Sequence, residues 1–230
     1  MGSQKLLLVT LFLLAFASSA QGYDFFYFVQ QWPGSYCNTN NQRCCYPIYG
    51  KPPSGFGIHG LWPNYNRPPY GAYPQNCYSN SIPIMSNRQV SGLVPNLQTN
   101  WPSWTCPRSD SSNFWQHEWT KHGTCSEAVL SQYDYFRVSL QFKQSTNILQ
   151  CLITAGILPN GRYYTLASVT AAIEKCIRHT IYVKCNIDKW GHDQLYEVYT
   201  CINKSGTMLI DCPVLPTPTC LSFWIRFPSF

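Results

Sequence analysis

The sequence predicts an α+β fold: a mainly antiparallel sheet with helices packed on it, in one disulfide-rich domain. Three observations predict it. β-prone runs stand at both ends of the chain with helix-period runs between them, a segregated order rather than repeated βαβ units. An apolar leader precedes all twelve cysteines, and an even number in a secreted chain reads as a disulfide framework. About 210 residues follow the leader, a size suited to a single core.

The leader is residues 1–22. Lys5 supplies a positive start, residues 6–16 are apolar apart from Thr10, and Ala17-Ser18-Ser19-Ala20-Gln21-Gly22 offers small residues for cleavage after Ala20 or Gly22. This is the pattern of a secretory signal peptide and is too short to span a membrane. No other run is long enough for an anchor, so the expectation is a secreted domain over residues 23–230, delivered outside the cell or to a vacuole.

Residues 25–32 are aromatic and β-prone and predict a buried strand, ended by Pro33-Gly34. Residues 56–61 predict a second strand between Pro52-Pro53 and Pro63. Residues 64–77 are rich in Asn, Pro, Gly and Tyr and predict a loop. Residues 90–100 predict a helix containing Pro95. Asp110-Ser111-Ser112 and Gly123 bracket a short helix. Further helices are expected over residues 127–142, 148–155 and 168–177, with Gly156 ending the second. Residues 181–185, 195–202 and 207–210 predict strands, the last two joined as a hairpin through Asn203-Lys204-Ser205-Gly206.

The chain carries 16 basic and 10 acidic residues. The leader removes Lys5 and no acid, leaving 16 − 1 = 15 against 10, or +5. A basic balance suits a polyanionic partner. Aromatic residues make up 16 %, enough to fill a core and still leave rings for stacking on bases. No paired C-x-x-C knuckles occur, so zinc is not expected.

Three of the five histidines lie in two short segments, Ile58-His59-Gly60-Leu61-Trp62 and His117-Glu118-Trp119-Thr120-Lys121-His122. Imidazoles beside a carboxylate and an ammonium are the groups that acid–base chemistry uses near neutral or mildly acidic pH. At about 100° per helical residue, His117, Glu118, Lys121 and His122 fall within roughly a 140° sector. The spacing is H-E-x-x-x-H. A zinc protease needs H-E-x-x-H, with both rings on one side of the helix. His59 by itself reads more readily as a satisfied core histidine than as a catalyst, and Trp62 reads as simple core.

These residues resemble the secreted acid ribonucleases of the ribonuclease T2 superfamily, in particular its plant S-like branch. Two motifs carry the resemblance: Phe56-Gly57-Ile58-His59-Gly60-Leu61-Trp62-Pro63 and His117-Glu118-Trp119-Thr120-Lys121-His122-Gly123-Thr124-Cys125. Weaker likeness runs through residues 25–37, Cys44-Cys45-Tyr46-Pro47, residues 101–107, Phe114-Trp115, residues 194–201 and the terminal Phe227-Pro228-Ser229-Phe230. The resemblance implies an endoribonuclease of low base specificity that needs neither metal nor cofactor. It would cleave single-stranded RNA through a 2′,3′-cyclic phosphate and would not cleave DNA, which lacks the attacking 2′-hydroxyl. A monomer is expected.

The resemblance also implies roles. His122 is the general base and His59 the general acid. Lys121 stabilises the added negative charge, Glu118 assists, and His117 binds phosphate. Trp62 and Asn64 match one base pocket; Gln31, Tyr36, Ser103, Trp104 and Phe114 match the other. A pocket tyrosine corresponds to Tyr70 or Tyr73. The loop over residues 64–77 is longer than in S-like members, Arg67 stands where an acid is usual, and the pI of about 8.7 is higher than in many of them. The implied disulfides are Cys37–Cys44, Cys45–Cys106, Cys77–Cys125, Cys185–Cys220 and Cys201–Cys212, with Cys151 and Cys176 left to pair with each other. Asn203-Lys204-Ser205 matches the glycosylation pattern, and a bare turn is the alternative. Two rival functions stay open at this level: a self-incompatibility recognition ribonuclease and a non-catalytic storage or binding descendant. Filled catalytic positions argue against the second.

Overall fold

The computed structural model describes residues 22–40, 43–69 and 71–230. The leader up to residue 21 and Tyr70 lie outside the described residues. The chain folds as β1 (Phe25–Gln31), α1 (Pro33–Tyr36), β2 (Gly57–Asn64), α2 (Arg88–Ser91), α3 (Val94–Asn100), α4 (Ser112–Lys121), α5 (Gln132–Ser145), α6 (Ile148–Thr154), β3 (Tyr163–Thr165), α7 (Leu166–Ile177), β4 (Tyr182–Ile187), β5 (Asp193–Asn203), β6 (Leu209–Ile210) and β7 (Trp224–Arg226).

One seven-stranded sheet runs β2-β1-β5-β7-β3, with β4 and β6 also paired to β5. Strand β5 is the hub. On one side it takes β1 along residues 197–203 and β7 at Gln194; on the other it takes β4 along residues 193–199 and β6 at residues 201–202. All pairings are antiparallel except β5 with β7. One face of β1 sends Phe26 and Phe28 into a core with Leu61, Trp101, Trp115, Trp119, Tyr135 and Phe136. The other face carries Phe25, Tyr27 and Val29 against Tyr182 and Tyr199. Helices α6 and α7 cover a third cluster around Trp32, Ile173, Val198 and Phe227.

A bulge in β2 sets the direction of its side chains. Val29 pairs with Gly60 and Gln30 with Ile58, so His59 is the extra residue. Side chains alternate faces along a regular strand, yet Ile58 and Leu61, three apart, both enter the same core. The bulge makes that possible, and it turns His59 to the same face as Trp62. The bulged backbone is held from outside. Trp101 Nε1 donates to the His59 carbonyl at 2.9 Å, Trp115 Nε1 of α4 donates to the Trp101 carbonyl at 2.7 Å, and Tyr135 of α5 donates to the Leu61 carbonyl at 2.8 Å. An edge strand exposes such carbonyls, and here buried side chains satisfy them.

Several boundaries differ from the sequence expectation. Strand β2 runs on through Pro63, which is tolerated because β2 is an edge strand. The helix expected over residues 127–142 begins at Gln132, because Ser131 Oγ accepts from Asp134 N at 3.1 Å and caps it there. Residues 127–130 form turns instead. The single helix expected over residues 90–100 is two, with Pro95 in the first turn of the second, where its missing N–H costs nothing. Strand β6 is only Leu209–Ile210, since Thr207 N and Met208 N both turn back to Asn203 Oδ1. Strands β3 and β7 were not legible: each has three residues, too few for a period to show.

Six disulfides pair Cys37–Cys44, Cys45–Cys106, Cys77–Cys125, Cys151–Cys176, Cys185–Cys220 and Cys201–Cys212. Cys151–Cys176 ties α6 to α7. Among the described residues no helix is long and apolar enough to cross a membrane, and no group of three or more His, Cys, Asp or Glu could hold a metal ion.

Candidate active site

The two histidine segments meet across a cleft of about 370 Å³. Strand β2 contributes His59, Trp62 and Asn64; helix α4 and its end contribute His117, Glu118, Lys121 and His122. Tyr27 and Tyr199 line it from the sheet, and residues 214–217 and Tyr73 form its rims. The rims are pinned. Tyr27 donates to the Val214 carbonyl at 2.6 Å and Tyr182 to the Thr217 carbonyl at 2.7 Å. On the other side, Asn76 N donates to the Lys121 carbonyl at 2.8 Å beside the Cys77–Cys125 bridge.

The four α4-region groups do not share one environment. Trp115 and Trp119 bury one side of the helix in the core, which presses Glu118 and the ring of His122 inward while His117 is exposed and Lys121 half-buried. His122 lies past the last helical residue as the C-cap. Its Nδ1 is buried without a hydrogen-bond partner among the described residues. Burial, and then the nearby positive charges of Lys121, His59 and His117, push its pKa down to about 3. This imidazole is neutral.

His59 is treated in the opposite way. Its Nδ1 meets Glu197 Oε1 of β5 at 2.6 Å, and Glu197 is fully buried. Burial alone would lower the proton affinity of His59. The Glu197 charge and hydrogen bond, helped by Glu118 and opposed by Lys184, reverse this and hold His59 above the usual histidine value. Two imidazoles in one cleft therefore have proton affinities displaced in opposite directions, the arrangement that divides acid and base duties.

Trp62 joins these groups. Its indole N–H donates to Glu118 Oε2 at 2.8 Å. Its ring stacks on His122 at 5.2 Å and meets His59 edge-on at 4.9 Å. Burial raises the Glu118 carboxyl above the usual range, although His59, the Trp62 hydrogen bond, His117 and Lys121 all pull against it. Gly60 is required here: a Cβ at that position would run into the Trp62 indole and the Glu118 carboxylate. Tyr73 lies tilted over His122 at 5.8 Å.

The second expected base group sits elsewhere. None of Gln31, Tyr36, Ser103, Trp104 and Phe114 lines this cleft. Phe114 is beside His59, with ring centroids 6.0 Å apart, and Gln31 pairs directly with Glu197 across the sheet. Tyr36 is buried in α1. Ser103 is buried, its N–H bonded to Ser111 Oγ. Trp104 packs on Phe230 at 5.2 Å, its indole N–H buried and unpaired among the described residues. Asn203 ends β5 at the turn into β6, with its Nδ2 donating to Thr207 Oγ1 at 3.1 Å.

Sequence reasoning missed Glu197, Lys184 and Tyr199. Lys184 Nζ lies 3.1 Å from Glu197 Oε2, and Tyr199 donates to the same oxygen at 3.1 Å. One signal was available: Glu197 is an acid inside the apolar strand Leu195-Tyr196-Glu197-Val198-Tyr199.

Comparison with known proteins places the chain in a family. The Ribonuclease T2 family model matches residues 23–212. Intracellular ribonuclease LX of Solanum lycopersicum is 48 % identical over 100 % of this chain and 96 % of its own length. Extracellular ribonuclease LE of the same species is 47 % identical over 98 % and 95 %. The crystal structure of RNase NT in complex with 5′-AMP superposes with a TM-score of 0.84 at 48 % identity, covering 91 % of this chain and all of that one. The family match over residues 23–212 and the 47–48 % identity to these relatives along nearly the whole chain make this protein a member of the Ribonuclease T2 family.

Proposed function

We propose that this protein is a metal-independent endoribonuclease that cleaves single-stranded RNA by transphosphorylation, with low base specificity. The observation that carries the reading is the opposed tuning of His59 and His122 in one cleft. Neutral His122 accepts the proton of a ribose 2′-hydroxyl. The 2′-oxygen attacks the adjacent phosphorus while the bond from phosphorus to the 5′-oxygen breaks. Protonated His59 gives its proton to that leaving oxygen, so the products are a 2′,3′-cyclic phosphate and a free 5′-hydroxyl. Positioned acid–base groups of this kind contribute about 10²–10⁴ in rate.

Lys121 and Glu118 flank the reacting phosphate. The ammonium offsets the charge that grows on the non-bridging oxygens, and Glu118 holds Trp62 and the histidines in register. Exposed His117 binds phosphate. Trp62, Asn64 and Tyr73 form one base site by stacking and polar contact. Phe114, beside His59, leads to the second, for which Gln31, Tyr36, Ser103 and Trp104 are the further candidates. DNA, which lacks the 2′-hydroxyl, is not a substrate.

Residues 1–22 serve as the secretory leader and residues 23–230 as a monomeric ribonuclease domain, delivered outside the cell or to the vacuole, with Asn203 as the candidate glycan acceptor. The test is purified protein on homopolymeric RNAs with excess chelator across pH, with products analysed for cyclic phosphate. Cleavage of all four polymers with chelator present is expected. Abolition by chelator alone would overturn the metal-independent reading.

A further inference from the structure

Glu197, Lys184 and Tyr199 form a linked cluster behind His59. Glu197 is fully buried, 138 residues from His59 in sequence, and spends both oxygens on protein partners. Oε1 meets His59 Nδ1 at 2.6 Å; Oε2 meets Lys184 Nζ at 3.1 Å and accepts from Tyr199 at 3.1 Å. A buried carboxylate is costly unless paired and hydrogen-bonded, so its presence inside an apolar strand points to work done on its partner. A hydrogen bond at Nδ1 fixes the tautomer and leaves Nε2 as the nitrogen that carries the transferable proton.

We infer that Glu197 is a positioning residue for RNA cleavage: it orients the His59 ring, keeps the Nδ1 proton in place, and, balanced by Lys184, sets how readily the Nε2 proton is released. The inference rests on His59 being the general acid. In the step itself the Nε2–H bond breaks and its electron pair stays on the ring. The proton joins the leaving 5′-oxygen, and His59 ends neutral with Nδ1–H still donated to Glu197. Glu197 remains a carboxylate throughout, as the buried acid of a catalytic triad does.

Other charges face His59 as well. Glu118 faces it from α4 and favours its proton; Lys121, His117 and His122 lie on the far side of the cleft. Tyr196 and Tyr199 on β5 keep their protons, since burial and the Glu197 charge push their pKa values well up. Of these groups only Glu197 bonds to a ring nitrogen of His59, and Lys184 is the cation in contact with Glu197. Lys184 is cross-strand from Glu197 in the β4–β5 pairing, directly before a bulge that leaves Tyr196 unpaired.

The experiment is Glu197→Gln, which keeps shape and hydrogen bonding and removes charge. Two readouts are taken: the pH profile of kcat/KM and the NMR titration of the His59 ring in the intact protein. We expect the high-pH limb and the His59 titration to move together toward acid by about one pH unit, a tenfold change in proton affinity, with kcat falling more than KM changes. Lys184→Met should move both the other way, since it leaves the Glu197 charge unbalanced. If Glu197→Gln folds and neither readout moves, the inference is overturned. If it does not fold, Lys184→Met decides alone: a shift toward alkaline pH supports the inference, and an unmoved His59 titration overturns it. The NMR arm is independent of activity. A moved titration in a protein whose His59→Phe variant still cleaves RNA would uphold the coupling and defeat the general-acid reading instead.

Discussion

Trp62 donates its indole N–H to Glu118 Oε2 at 2.8 Å, and this bond ties strand β2 to helix α4 at the centre of the cleft. Without it Glu118 would be a buried carboxylate lacking its indole donor. Trp62→Phe keeps a ring for stacking on His122 and loses the donor. Hydrogen bonds to charged groups are worth about 1.5–3 kcal/mol, so the variant should melt lower and its turnover should fall about tenfold, in line with a cost of that size. Unchanged Tm and kcat in Trp62→Phe would show that the bond is incidental.

His59→Phe and His122→Phe should each reduce turnover by at least about 10²-fold, the lower end expected when an acid or base is removed. Circular dichroism should show an intact fold. Lys121→Ala should lower kcat more than it changes KM, because its charge is needed most in the transition state. Either histidine variant retaining more than about a tenth of wild-type activity contradicts the assigned role.

Stability should fall on the acid side in a way traceable to His122. Its folded pKa of about 3 lies below the unfolded value of about 6.5. Between those values the unfolded chain binds a proton that the folded protein refuses, so this group costs about 1.4 kcal/mol of stability per pH unit as pH drops through that window. His59 works in the opposite sense. With its folded pKa raised, its contribution is complete below about pH 6.5 and is lost as pH rises through the folded value. Denaturant melts from about pH 7 to pH 4 should therefore show a steeper loss for wild type than for His122→Phe. Parallel curves would contradict the buried neutral imidazole.

The Cys151–Cys176 bridge spans 25 residues and lies between α6 and α7, away from the cleft residues. In the chain-entropy model a loop of this length contributes roughly 3 kcal/mol. The double Ser variant should melt several degrees lower and cleave RNA at the wild-type rate. A loss of activity below the melting transition would mean that the helices it joins also support the cleft.

The histidine site was legible where its chemistry is local. His117, Glu118 and Lys121 lie close together on one helix, where helical spacing gathers them, and His122 follows directly as its C-cap; the strand-helix-strand order likewise announced the α+β class. What escaped was decided by partners distant in the chain. Sequence period places Ile58 and Leu61 on opposite faces of β2, but both enter the core because His59 is bulged. The indole of Trp101, the hydroxyl of Tyr135 and the pairing with β1 hold that bulge. Strands β3 and β7 exist because Tyr163 finds Arg226 and Thr165 finds Trp224, not because either strand is β-prone over a useful length. Glu197 reads as an isolated acid in a strand until β1, lying between β2 and β5, brings it within 2.6 Å of His59. The physical reason is common to all three. Local spacing determines which residues share a face of one element, whereas burial, charge balance and proton affinity depend on which elements the sheet places side by side.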